Sequence, residues 1–206
     1  MSEKAILDEH MPLPLTRKGL KTRQKLLDTA EEIFGTQGYF SASIVDITQK
    51  ANVAQGTFYN YFSSKQMIFE ELIKQLSSDF RNEIRMEVAK ATSAKEAQII
   101  GFRTFFRWVK NHRNLYSIVQ QAVLVDEKLY RWYYDRLAGG YIKGLEEAMG
   151  KGEFKTLDAE TVAYCLMGMS QFIGMRWVYW EDQEVPDRVF GDMVSLIFEG
   201  LNREQK

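Results

Sequence analysis

Residues 55–65 read QGTFYNYFSSK: Phe58, Tyr59, Tyr61 and Phe62 crowd around Asn60, with a Gly-Thr pair before them and Ser-Ser-Lys after. At helical spacing Phe58 and Phe62, four residues apart, share one face and can pack back on a neighbouring helix. Thr57, Asn60 and Tyr61 fall elsewhere around the turn and can face outward. A core helix has no use for an amide and a threonine among its aromatics, and a solvated face has no use for four aromatic rings. The combination suits a short helix anchored by one side that meets a polar partner with the other.

The flanking sequence gives this helix a context. Upstream, Ser43 opens a short helix to about Ala51, with Asp46 as its capping-box partner and Ile44, Ile47 and Ala51 facing inward. The stretch ANVAQGT, residues 51–57, is a turn into the second short helix, about Gln55 to Tyr61. Two short helices joined by a tight turn form a helix-turn-helix, whose second helix can enter a DNA major groove. Tyr and Thr hydroxyls can bond phosphate oxygens, while Asn and Gln can read adenine in a bidentate way. A longer helix precedes the pair, from about Leu20 to Gln37, with Leu26, Leu27, Ala30, Ile33 and Phe34 as its apolar stripe and Gly38 as its stop. Ser63 with Gln66 reads as a second capping box, opening a long helix from Ser64 to about Lys90. Between Leu15 and Leu27 stand Arg17, Lys18, Lys21, Arg23 and Lys25 with no acid among them, although the whole chain carries a formal charge of −1. The local basic segment, and not the net charge, is the informative quantity.

The rest of the chain continues in the same style. Proline occurs only at Pro12, Pro14 and Pro186, and apolar residues recur at spacings of three and four without alternation. Helices are expected at about Ala94–Asn111, Leu115–Leu124, Asp126–Met149, Asp158–Trp180 and Pro186–Asn202. The fold class is therefore all-α: an N-terminal three-helix helix-turn-helix bundle followed by a larger C-terminal helical bundle. The domain reading is a flexible tail over 1–19, a DNA-binding domain over 20–66, and an effector-binding and dimerisation domain over 67–206. A single cysteine, Cys165, allows no disulfide within the chain and fits a reducing cytoplasm; it is expected in the core. The N-terminus carries Glu3, Asp8 and Glu9 in place of a signal peptide's apolar region, and no apolar run approaches the ~20 residues that span a bilayer. A cytoplasmic protein without a membrane partner is expected.

The stretch from Thr22 to about Leu76, which includes LLDTAEEIFGTQGYFSASIVDITQKANVAQGTFYNYFSSKQMIFEEL, resembles the DNA-binding domain of TetR-family transcriptional regulators. The likeness rests on the first helix ending in Gly-Tyr, the second helix with its isoleucines, the Gly-Thr-x-Tyr-x-Tyr-Phe recognition helix and the lysine three residues after Phe62. Thr48 stands where the family often has Ala. The resemblance implies a homodimer that binds a palindromic double-stranded DNA operator, usually as a repressor, and that a small-molecule effector releases. It implies DNA-facing roles for Gln55, Thr57, Tyr59, Asn60, Tyr61 and Lys65; Lys21 and Arg23, in the basic segment that can reach the adjacent backbone or minor groove, and Ser43 complete the candidate DNA contacts. Tyr59 and Tyr61 would bind phosphate, and Gln55 and Asn60 would contact bases. It places the dimer interface on the last two helices, where Val162, Leu166, Met169, Phe172, Ile173 and Trp177 are followed by Val189, Phe190, Met193, Val194, Ile197 and Phe198; a core closed within one chain is the alternative.

The middle helices are rich in aromatics, as befits an apolar pocket with a few polar anchors. Phe102, Phe105, Phe106, Tyr116, Gln120, Tyr133, Tyr134, Gln171 and Arg176 are the candidate effector contacts. Arg176 interrupts an apolar run, so it either anchors an anionic head or, the commoner outcome, pairs with a protein carboxylate. A lipophilic effector fits this composition, whether a fatty acid or acyl thioester, an aromatic compound or a drug. No cofactor and no metal are expected, and His112 is read as a helix end. An enzyme is disfavoured: Gly-x-Ser-x-Gly, His-Glu-x-x-His, phosphate-loop and paired-Cys motifs are all missing. A helical adaptor whose head binds protein instead of DNA is the remaining rival.

Overall fold

The computed structural model describes residues 16–200. Residues 1–15 of the expected tail and the end of the last expected helix beyond residue 200 lie outside them. Among the described residues the fold is helical without strands: α1 (Arg17–Gln37), α2 (Ile44–Lys50), α3 (Gln55–Tyr59), α4 (Lys65–Val88), α5 (Ala94–Asn111), α6 (Arg113–Val125), α7 (Glu127–Gly150), α8 (Ala159–Ile173) and α9 (Asp187–Glu199). An N-terminal helix-turn-helix bundle precedes a larger helical domain, as expected.

Local chemistry sets most of the ends. Thr16 caps α1 by accepting from the Gly19 amide at 3.1 Å, so the helix starts at Arg17, inside the segment expected to be tail. Gly38, at φ +84°, closes α1 with its N–H on Phe34 O. The Ser43–Asp46 capping box is present in full, and the hydrogen bonds from Ser43 hold the Asp46 carboxyl below the usual carboxylate range. At α4 the cap is Ser64, which accepts from the Met67 amide, and not the expected Ser63–Gln66 pair; Ser63 instead bonds the Met67 sulfur. His112 ends α5 and leads directly into α6, its ring stacked on Trp108.

The head core is made of Leu26, Leu27, Phe34, Ile47, Phe58 and Phe62, and it runs without a break along α4 through Phe69, Ile73 and Phe80 into the larger domain. Thr48 is buried there and satisfies its hydroxyl on Ile44 O and Val45 O of its own helix, which explains why a polar residue is tolerated in this core. Two elements join the head to the rest. One is α4. The other is α6, which packs directly on α1: Gln121 donates to Phe34 O at 3.0 Å and accepts from the Tyr39 amide at 2.6 Å. Gly35 permits this approach, since a Cβ there would lie 2.4 Å from Asn114 Cβ.

The expected helix from Asp158 to Trp180 is split. After Ile173 it continues as a π-helical segment, Gly174–Trp180. The wider turn displaces carbonyls from the i−4 pattern, and Arg113 of α6 takes up those of Val178 (2.8 Å) and Tyr179 (2.7 Å). Gly174 allows this segment onto α5, where a Cβ would meet Phe105 at 3.0 Å. Cys165, expected in the core, is exposed on α8: it sits one residue before the buried Leu166, about 100° around the helix from it.

Candidate functional site

On the head, α3 presents two contrasting sides. Phe58 and Phe62 are wholly buried against each other, with ring centroids 5.6 Å apart. Gln55, Gly56, Tyr59 and Asn60 are exposed, and Thr57 and Tyr61 are half-buried. Tyr59 is 51% exposed and steadied edge-on by Phe58. Lys21, on α1, is also exposed. One outward face thus gathers an amide pair, phenol hydroxyls and a bare glycine backbone.

Three of the expected contact residues are engaged inside the chain. Lys65 Nζ donates to Tyr39 O and Ala42 O, both at 2.8 Å, and lies over the Tyr39 ring. Desolvation lowers its pKa. It is a staple across the α1–α2 connection, and its ammonium is committed there before any phosphate arrives. Arg23 pairs with Glu71 of α4 at 2.5 Å and lies over Phe62, holding α1 to α4. Ser43 spends its hydroxyl on the capping box. Lys65 and Arg23 have closer protein partners on elements that spacing along the sequence does not bring near, and Ser43 has its partner three residues on in its own capping box.

The second candidate site is a cavity of about 610 Å³ between α4, α5, α7 and α8. Of the expected residues, Phe102, Phe105, Tyr134 and Gln171 line it. Tyr116, Gln120 and Tyr133 instead line an adjoining space of about 20 Å³, sharing Phe105, Tyr134 and Gln171 with the larger cavity. There Gln171 donates to the Tyr116 hydroxyl at 2.8 Å, while Gln120 Nε2 is buried without an acceptor. Burial pushes the phenols of Tyr116, Tyr133, Tyr134 and Tyr141 above their ordinary value, so all four are neutral hydrogen-bonding groups.

Phe106 and Arg176 lie outside both spaces. Phe106 is turned toward Phe190 of α9, with centroids 6.3 Å apart. Arg176 pairs with Glu181 at 2.6 Å on the outside of the π-helical segment. The salt-bridge alternative is the one realised, and within one chain.

Sequence reading missed Arg81, Arg85 and Arg136 in the lining, together with Gln98, Gly140 and Gly144. A signal existed for the first two. Like charges four apart on a helix oppose each other, and the arginine pair on α4 has no local reason to be there. The glycines lie in the interior of α7, where a residue without a side chain weakens a helix. A Cβ at either would meet nothing within 4 Å, so both leave space open.

Residues 26–72 match the model of bacterial regulatory proteins of the tetR family. These residues form a DNA-binding domain of the tetR-family type. A helix-turn-helix transcriptional regulator of Bacillus subtilis, YdgC, is 28% identical over 89% of this chain and 94% of that protein. The fatty acid metabolism regulator protein of the same organism is 22% identical over 87% and 95%. Among solved structures, the fatty acid degradation regulator FadR from Bacillus halodurans superposes with a TM-score of 0.79 at 21% identity, covering 89% of this chain and 97% of that one. FadR from Bacillus subtilis in complex with stearoyl-CoA gives 0.78 at 21%, covering 87% and 99%. These TetR-family relatives are regulators and not enzymes. Among the described residues no helix is long and apolar enough to cross a membrane, and no cluster of His, Cys, Asp and Glu is arranged to hold a metal.

Proposed function

We propose that this regulator is a cytoplasmic, ligand-responsive repressor that binds a palindromic operator as a homodimer and leaves it when a lipophilic effector fills the cavity. The observation that carries the reading is the cavity itself: it is walled by α4, the helix that also supports the head. A volume of about 610 Å³ lies within the ~300–1,000 Å³ usual for small-molecule sites. Two similar proteins are regulators of fatty acid metabolism or degradation, and the Bacillus subtilis FadR structure holds stearoyl-CoA; a fatty acyl chain is the effector part that this apolar volume suits.

On the head, Gln55 and Asn60 are the base-reading candidates, and Thr57, Tyr59, Tyr61 and Lys21 the backbone contacts. For the dimer, α8 and its π-helical continuation leave large apolar side chains outside: Phe172 at 67% and Trp180 at 60% exposure, and Cys165 is exposed as well. Such residues seek a partner surface, and a second copy provides the symmetric pairing that a palindrome needs.

Release follows two routes out of the cavity. α4 carries Phe80 to Ala89 in the cavity wall and Lys65 in the head. α6 places Gln120 beside the cavity and Gln121 on the end of α1. An effector that prefers one arrangement of these helices shifts the spacing of the two recognition helices, and only a differential affinity for the two arrangements can do so. Selection of bound duplexes from a random pool at physiological salt tests the reading. A recovered palindrome with two half-sites is expected, and a folded dimer stripped of ligand that enriches no sequence would contradict it. Tyr59→Ala then lowers affinity for that duplex about tenfold with unchanged thermal stability.

A further inference from the structure

Beside the large cavity lies the small space of about 20 Å³, and the two differ in kind. Ala89, Gly140 and Gly144 stand exposed in the wall of the large cavity, whereas Trp108, Tyr116, Val119 and Tyr133 around the small one are buried. The small space is therefore the inner end of the chamber. Its wall is polar in apolar surroundings. Tyr116 and Gln120 stand one turn apart on α6, and Gln171 reaches the same place from α8, donating to the Tyr116 hydroxyl at 2.8 Å. Burial raises the Tyr134 pKa, and the Gln120 side chain beside it offsets part of the rise. Yet Gln120 Nε2 is itself buried and has no acceptor in hydrogen-bond geometry among the described residues. A buried N–H left unpaired is costly and uncommon. Among the described residues that line the space, none is charged.

The size of the space decides what can enter. About 20 Å³ holds a single water-sized group, which needs ~10–15 Å³. The methyl end of an acyl chain placed there leaves Gln120 Nε2 unpaired. A carboxylate has no cation to meet, and the neighbouring phenols, kept neutral by burial, do not supply one. An uncharged oxygen meets both conditions. Gln120 Nε2 donates one hydrogen bond, and Tyr116, whose oxygen already accepts from Gln171, has its own proton to give. A carbonyl oxygen has two lone pairs and takes both, whereas a hydroxyl adds a proton that needs an acceptor of its own. We infer that this inner space is an oxygen subsite, which takes the carbonyl oxygen of a keto group at the buried end of a lipophilic effector, with Gln120 and Tyr116 as its donors. The inference rests on the effector reading above and adds to it the chemistry of the effector's far end. Gln120 sits one residue before Gln121, which bonds Phe34 O and the Tyr39 amide, so the contact is made on the helix that packs on α1.

The test uses the ligand-stripped full-length protein and straight-chain acids of ten to sixteen carbons, each paired with the acid of the same length that carries a ketone on its next-to-last carbon. At one length the ketone is expected to bind about tenfold or more tightly than its parent acid. The dicarboxylic acid of that length, which brings a charge to the same end, is expected to bind more weakly than either. Gln120→Leu, close to the native side chain in size, is expected to remove the ketone's advantage while leaving the parent acid's affinity unchanged or higher. It is also expected to melt no lower than the native protein, because the unpaired amide is gone. Tyr116→Phe is expected to remove part of the advantage. Equal binding of ketone and parent at every length would overturn the subsite and leave the space to a lone water. A ketone preference that survives Gln120→Leu, or a variant that weakens both probes alike, would overturn the part assigned to Gln120. If the parent acids bind and release operator without a ketone preference, the effector reading stands and the subsite alone falls; if no probe binds, both fall.

Discussion

The head and the larger domain solve opposite packing problems. The head fills its interior: Leu26, Ile47, Phe58 and Phe62 are wholly buried, and polar groups such as Thr48, Ser43 and Lys65 are satisfied within a few residues or across one loop. The larger domain keeps its interior partly empty. It sets glycines inside α7, buries Gln120 Nε2 without an acceptor and leaves about 610 Å³ unfilled. A surface that must meet DNA in one geometry needs a rigid support. In the proposed function the chamber responds to a ligand, which needs room and a second arrangement within reach.

Three substitutions sharpen that contrast. The largest effect is expected from Phe58→Ala: the cavity left under the recognition helix costs about 3–5 kcal/mol, read as a lowered denaturation midpoint, and the head loses protection from hydrogen exchange before the larger domain does. An equal loss in both would mean that they unfold as one body. Next comes Gly35→Ala at the seam of α1 and α6. Alanine favours the helix, but its methyl would collide with Asn114, so a net destabilisation of about 1–2 kcal/mol is expected. Smallest is Gly144→Ala in α7. With nothing within 4 Å of the new methyl, the helix gains about 0.5–1 kcal/mol. The same glycine-to-alanine change is thus stabilising beside the cavity and destabilising at the seam. If both stabilise, the seam is looser than its geometry implies.

The contrast also explains what could be read from sequence. The head was legible because its signals are local: Phe58 and Phe62 four apart, Ser43 and Asp46 three apart, Gly38 at a helix stop. Lys65 and Arg23 escaped because their partners, Tyr39, Ala42 and Glu71, lie 23 to 48 residues away. The cavity was legible only in kind. Its aromatics indicated an apolar chamber, but which of them face it depends on how four distant helices pack, so Phe102 and Tyr134 were found while Phe106 was not. Arg176 stood out because it broke an apolar run, and its partner was simply Glu181, five residues on. The arginines that line the cavity drew no notice in a charged helix.

Linkage makes the proposed coupling between the two regions measurable from the cavity side. Binding of the effector, tested first with palmitoyl-CoA, is to be titrated on the ligand-stripped dimer with and without a saturating selected operator duplex. If the cavity controls the head, operator weakens effector binding by the same factor by which effector weakens operator binding, commonly about 5–150-fold. An effector affinity indifferent to operator would contradict the account, however tightly each ligand binds alone.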